Sequence, residues 1–149
     1  MALEIRYVKE ADHPSWLEMF KLYCIFHDVP LTSEVTERAW ERIFTEGTPL
    51  RALIALDEDG RALGICNYVC HEDTFSSKAM CYLADLYVDQ ASRGRGVGRA
   101  LIAEVTRIGR EQGWFRIYWI TGEDNQAARS LYDAVARNTG HVRYDIALC

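Results

Sequence analysis

The feature that most constrains this 149-residue chain is a run of closely spaced glycines, Arg93-Gly94-Arg95-Gly96-Val97-Gly98-Arg99-Ala100. It lies between an apolar stretch, Cys81 to Val88, and a segment carrying Val97, Leu101, Ile102, Val105 and Ile108 on one helical face. Glycines let a backbone fold back and approach a ligand closely. Successive N–H groups in such a turn form an anion nest. The helix that follows adds unpaired N–H groups and the positive end of its dipole. A pyrophosphate suits such a place. A dinucleotide fold needs its glycines after the first strand of a βαβ unit, and a triphosphate loop needs Lys-Ser/Thr; neither condition is met here.

The rest of the chain places that turn in an α/β frame. Leu3 to Val8 alternates as a strand. His13-Pro14 opens a helix with Trp16, Met19, Phe20 and Tyr23 on one stripe, stopped at Asp28-Val29-Pro30. Thr32 or Ser33 caps a second helix, whose buried side is expected to carry Val35, Ala39, Trp40, Ile43 and Phe44. Arg51–Leu56 and Ala62–Val69 read as strands around the turn Asp57-Glu58-Asp59-Gly60. A polar loop, residues 71–77, leads to the strand Cys81–Val88, apolar except for Asp85 and therefore central. After the glycine turn come a helix ended by Gly113, a strand Phe115–Thr121, a last helix with Ala128, Leu131, Tyr132 and Val135 inward, and a final strand Val142–Leu148. The order β-α-α-β-β-β-α-β-α-β predicts an α/β single domain over residues 1–149: a mixed, mostly antiparallel sheet flanked by about four helices.

Net charge is −5, which disfavours nucleic acid and is compatible with a cationic substrate. No stretch approaches the roughly 20 apolar residues of a membrane span, and the first residues lack a signal-peptide pattern, so a soluble cytoplasmic protein is expected. The five cysteines, Cys24, Cys66, Cys70, Cys81 and Cys149, show no zinc-ligand spacing; reduced, mostly buried thiols and no metal are expected.

The glycine segment resembles the GNAT acetyltransferases, whose signature is Gln/Arg-x-x-Gly-x-Gly/Ala between a central strand and a long helix. Arg93, Gly96 and Gly98 match it. Tyr82 to Val88 is similar to the family's preceding strand, and Thr121-x-x-x-Asn125-x-x-Ala128-x-x-Leu131-Tyr132 to its second helix on the coenzyme side. The resemblance covers nearly the whole chain and is specific over residues 81–133. It is nearest the branch that acetylates polyamines and histones.

What the resemblance implies is an acetyl-CoA-dependent N-acetyltransferase that moves acetyl directly onto a primary amine. The backbone of Arg93, Gly94, Arg95, Gly96, Val97, Gly98 and Arg99 would hold the pyrophosphate. Leu86, Tyr87 and Val88 would pair with the pantetheine amides and offer an N–H to the acetyl oxygen. Asn125, with Ala128 on the same helix, would meet the pantetheine or lie near the thiol, and Tyr132 would be the general acid. A homodimer is implied by resemblance only. The chain departs from the family at Ala84, where polyamine-acetylating relatives often carry Glu, and at Gly140-His141, where Gly-Phe is usual.

Alanine cannot take a proton, so Asp85 remains as either a buried structural carboxylate or a base acting through water. Glu72 and Asp73 are candidates to bind a cationic amine, and His71 is a further base candidate. A small or polyamine-like acceptor is favoured. The alternatives are a protein lysine or N-terminal acetyltransferase and, in another class, an acetyl-CoA-binding module without turnover.

Overall fold

The structure, a computed structural model, describes residues 2–149. Its strands are β1 (Glu4–Tyr7), β2 (Leu50–Leu56), β3 (Ala62–His71), β4 (Met80–Val88) and β5 (Arg116–Tyr118). Its α-helices are α1 (His13–Phe26), α2 (Ser33–Phe44), α3 (Val97–Gln112) and α4 (Gln126–Val135). The sheet runs β1-β2-β3-β4-β5, antiparallel up to β4, with β5 parallel to β4. This is the expected mixed sheet with four helices.

Alternation along the strands divides the core into two layers. Leu53, Ala55, Cys66, Tyr68, Cys81 and Leu83 face α3, where Val97, Leu101, Ile102, Val105 and Ile108 meet them. Ala52, Ile54 and Ile65 face α1 and α2, against Trp16, Met19 and Ile43. Helix α1 has Pro14 at its first turn, where a missing N–H costs no hydrogen bond. Thr32 caps α2 by accepting from the Val35 amide at 3.3 Å. Gly113 ends α3 with φ +75°.

Three expectations need correction. Val35 and Phe44 are 48% and 43% exposed, because the stripe that meets the sheet runs Thr36–Ala39/Trp40–Ile43 and leaves its flanks outside. Strand β5 is three residues long rather than seven. Residues 142–148 form no strand: a strand exists only where its backbone finds an edge, and this segment pairs with none in its own chain.

Gly64 shows how closely the layers approach. A β-carbon there would stand 2.8 Å from the Tyr87 carbonyl oxygen, a backbone atom, and 3.2 Å from Val97. Gly64→Ala is expected to lower unfolding free energy by about 1–3 kcal/mol, as overpacking does. Urea unfolding checks this.

Candidate active site

Strand β5 pairs with β4 only at Met80–Arg116, Cys81–Ile117 and Tyr82–Tyr118, so residues 83–88 of β4 have no neighbour on that side. The direction of the exposed backbone follows from register. The Asp89 amide donates to the Leu63 carbonyl at 2.8 Å, and pairing alternates with a period of two. Asp85 and Tyr87 therefore turn their backbone groups toward β3, opposite Asn67 and Ile65. Leu86 and Val88 turn theirs into the opening. Of the three strand residues expected to bind pantetheine, Tyr87 is thus corrected: its main chain is spent on β3, and its ring lies beneath the Arg93 guanidinium at 5.5 Å. A bulge between Asn67 and Tyr68 leaves Ala84 as the extra residue of β4.

The opening leads to the glycine turn. Gly94 and Gly96 have φ +77° and +84°, the left-handed region that glycine adopts without strain. Among the described residues, no acceptor within the chain takes a hydrogen bond from the amides of residues 94–99. Residues 93–96 and Arg99 are exposed, whereas Val97 and Gly98 are buried as α3 begins. Orphan N–H groups at a helix start are an anion site. The Arg93 side chain differs from a free rim charge: its Nε donates to the Val88 carbonyl at 3.0 Å.

On the α1 face, a chain of polar groups fixes Asp85. Trp16 Nε1 donates to Asn67 Oδ1 at 2.9 Å, and Asn67 Nδ2 donates to Asp85 Oδ2 at 3.0 Å. Burial raises the Asp85 pKa above the usual carboxylate value, against the opposing hydrogen bond from Asn67 and the lesser influence of the nearby Tyr23 hydroxyl and His27. Tyr23 donates to the Ala84 carbonyl at 3.3 Å and stacks near His27 with ring centres 4.4 Å apart. Burial, then Asp85, raises the Tyr23 pKa, with Tyr82 and Tyr132 also close enough to act. Toward β5, the His71 Nδ1–H donates to the Glu72 carbonyl at 2.8 Å, because that oxygen can only accept. His71 Nε2 then accepts from the Tyr118 hydroxyl at 2.8 Å, and Tyr118 stacks on Tyr82.

The Acetyltransferase (GNAT) family pattern matches residues 16–135. The chain is a GNAT-family N-acetyltransferase. It is 31% identical over 141 residues to a D-amino-acid N-acetyltransferase of Saccharomyces cerevisiae, covering 94% of this chain and 88% of that one. Among solved structures, AAC(6')-Iy in complex with a CoA bisubstrate analogue superposes with a TM-score of 0.84 at 22% identity, over all of both chains. A ribosomal-protein-alanine N-acetyltransferase from Brucella melitensis gives 0.82 at 19%, over 99% of this chain and 100% of that one. The last two show shared fold.

The residues of this N-acetyltransferase fit acetyl-CoA, its cosubstrate: the amides of residues 94–99 suit a pyrophosphate, and Leu86 and Val88 present a strand edge to an amide-bearing arm. Helix α4 borders the same opening. Leu131 of α4 lies 3.1 Å from where a Gly98 β-carbon would stand. Asn125 caps α4, its Oδ1 accepting from the Ala128 amide at 3.4 Å while its Nδ2 donates to Thr121 Oγ1 at 3.3 Å. Its side chain is thus engaged in placing α4. Tyr132, two turns along, is half-buried against Trp119, ring centres 5.3 Å apart, and burial raises its pKa, so it keeps its proton at neutral pH. Asp85 and Tyr132 each lie close enough to Tyr23 for their charge to act on that phenol, Asp85 from the α1 face and Tyr132 from among the side chains that pack on the α3 side. Glu72 and Asp73 lie apart from Asp85, on the His71–Tyr118 rim; Glu72 is exposed and Asp73 half-buried. Sequence reasoning missed Tyr23, His27, Tyr82 and Tyr118. The i, i+4 spacing of Tyr23 and His27 at the end of α1 was the available signal.

Two outcomes follow from this geometry. Gly96→Trp, at φ +84° in the anion nest, is expected to weaken acetyl-CoA binding at least about tenfold through loss of the nest, read by calorimetry. Because the folded pKa of Asp85 is raised, its contribution to stability is full below the ordinary carboxylate pKa and is lost as pH rises through the folded value. Asp85→Asn should remove that loss. Its urea midpoint, relative to the native chain, should rise from pH 4 to pH 7.

Proposed function

We propose that the acceptor is a small primary amine bound on the α1 face, between the Tyr23–His27 pair and the His71–Tyr118 rim. The observation that carries this reading is Asp73 Oδ2, which is buried and has no hydrogen-bond partner within the chain. A buried carboxylate oxygen without a donor is costly, and an ammonium would satisfy it. Asp73 is close enough to Tyr118 for its charge to raise that phenol's pKa, after burial, Tyr82 and Cys81. The likeness to an enzyme named for D-amino acids supports a small acceptor.

Bound acetyl-CoA supplies an acyl carbon activated as a thioester, which the neutral amine nitrogen attacks as the C–S bond breaks. The N–H groups of Leu86 and Val88 face the opening and are placed to stabilise charge growing on the acyl oxygen. Tyr132, with its proton retained, donates to the leaving sulfur. Asp85, held by Asn67 and with a raised affinity for protons, receives the amine proton through water in the role that Ala84 cannot fill.

The test is thiol release from acetyl-CoA with a panel of diamines, D-amino acids, aminoglycosides and lysine peptides. Turnover is expected with small amines, and Asp73→Asn should lower kcat/KM for diamines about tenfold, as loss of a charge-assisted hydrogen bond does. Preference for peptides over every small amine would overturn the reading. Tyr132→Phe is expected to lower kcat about 10²-fold with the KM for acetyl-CoA retained, the effect of losing a general acid. An unchanged kcat would remove Tyr132 from the mechanism.

A further inference from the structure

Two of the five cysteines meet across strands. Cys70 of β3 is the register partner of Cys81 of β4. Both side chains lie on the α3 side of the sheet, Cys81 buried in the core layer and Cys70 half-buried against it. The Cys70 amide donates to the Pro49 carbonyl at 3.4 Å, on the β2 side, so Cys70 and Cys81 form a non-hydrogen-bonded pair. Such pairs bring α-carbons to about 4.5 Å. Disulfides span about 4.4–6.8 Å. The other thiols have no such partner. Cys66 also faces α3, but it lies about 13 Å along the strand from Cys70. Cys24 is on α1, and Cys149 is exposed.

The two thiols are chemically unequal. The Cys81 thiol lowers the Cys70 pKa from the ordinary thiol value, against burial and with help from the Arg51 charge. Cys70, then burial, raises that of Cys81. Cys70 is thus both the better thiolate and the thiol that solvent reaches. The pair also stands behind the His71–Tyr118 rim. His71 and Tyr82, the next residue on each strand, point to the opposite face, where both meet Tyr118.

We infer that Cys70 and Cys81 are an exchange site for low-molecular-weight disulfides such as oxidised glutathione, closing to a reversible cross-strand bond. The Cys70 thiolate attacks one sulfur of the small disulfide and releases one small thiolate, leaving a mixed disulfide. The Cys81 sulfur, its proton passing to that released thiolate, attacks the Cys70 sulfur. It expels the second small thiolate, which takes from water the proton that Cys70 had lost. Two protein thiols are oxidised, and one small disulfide is reduced to two thiols. The new bond fixes β3 and β4 behind the rim. Slower turnover of amines in the oxidised chain is a consequence that rests on the acceptor reading above; the exchange itself does not.

The test treats the reduced full chain with oxidised glutathione, blocks remaining thiols, cleaves at Lys78 between the two cysteines and maps the products by mass spectrometry. A bond between Cys70 and Cys81 is expected, reversed by dithiothreitol. Exposed Cys149 should take up glutathione and so show that the mixture is oxidising. Cys81→Ala, still binding acetyl-CoA, should stop at a glutathione adduct on Cys70. Both thiols left free where Cys149 is modified overturns the inference, and so does a Cys81→Ala chain unmodified at Cys70. Oxidation should also lower kcat/KM for diamines about tenfold, as misplacing a positioning group does, with acetyl-CoA binding kept. A bonded chain with unchanged kcat/KM overturns the coupling to the rim. Failure of the acceptor reading shows instead in the reduced chain, as a preference for peptides.

Discussion

The site depends on β4 and β5 parting after three pairs. A strand in the middle of a sheet has its backbone groups spent on both sides, and such a strand could offer nothing to a ligand. Here β4 remains anchored along its length to β3, while Leu86 and Val88 lose their second neighbour. The opening is compensated locally. Arg93 satisfies the Val88 carbonyl, the Ala84 bulge twists the strand, and Gly64 lets α3 and β4 come close. The free edge and the free amides of residues 94–99 are then two parts of one surface, since the strand runs directly into the glycine turn.

The other face is organised by one buried polar connection. Asn67 is 3% exposed and would be costly without partners; it accepts from Trp16 and donates to Asp85. Trp16, with no exposed surface, is therefore both core and clamp. Through it, the packing of α1 on the sheet sets the position of a carboxylate at the bulge. Tyr23, two turns along the same helical face, bonds to the Ala84 carbonyl beside it. On the proposed reading, stability and chemistry share these atoms, so a substitution in this group is expected to change both.

Features carried by local pattern were legible in the sequence. The glycine turn, the apolar run of β4, the stripe of α3 and the α1 stripe from Trp16 to Tyr23 each depend on residues close in the chain, and each is found in the structure. Features that depend on distant partners were not. The bulge at Ala84 arises from register against β3. Tyr87 was read as offering its backbone to the opening, but parity set by Asp89–Leu63 turns it away. Tyr23 and Tyr118 look like core aromatics until the fold places one beside Asp85 and the other beside His71. Residues 142–148 were read as a strand and form none, because an alternating pattern specifies only a face to bury, not the edge that would pair with it.

The two sides of the site are built from different material, and this explains why the coenzyme was readable while the acceptor was not. The side that fits acetyl-CoA is main chain: the unpaired amides of residues 94–99 and the β4 edge at Leu86 and Val88. Main-chain donors require only a path, which glycines permit and many sequences share. On the proposed reading the acceptor side is side chain: Asp73, Asp85, His71, Tyr118, Tyr23 and His27, drawn from four separate segments. Each can change without disturbing the path of β4. A fold that holds its cosubstrate by backbone leaves its acceptor chemistry free to vary, so the preference for one amine over another lies in how these few polar side chains are paired.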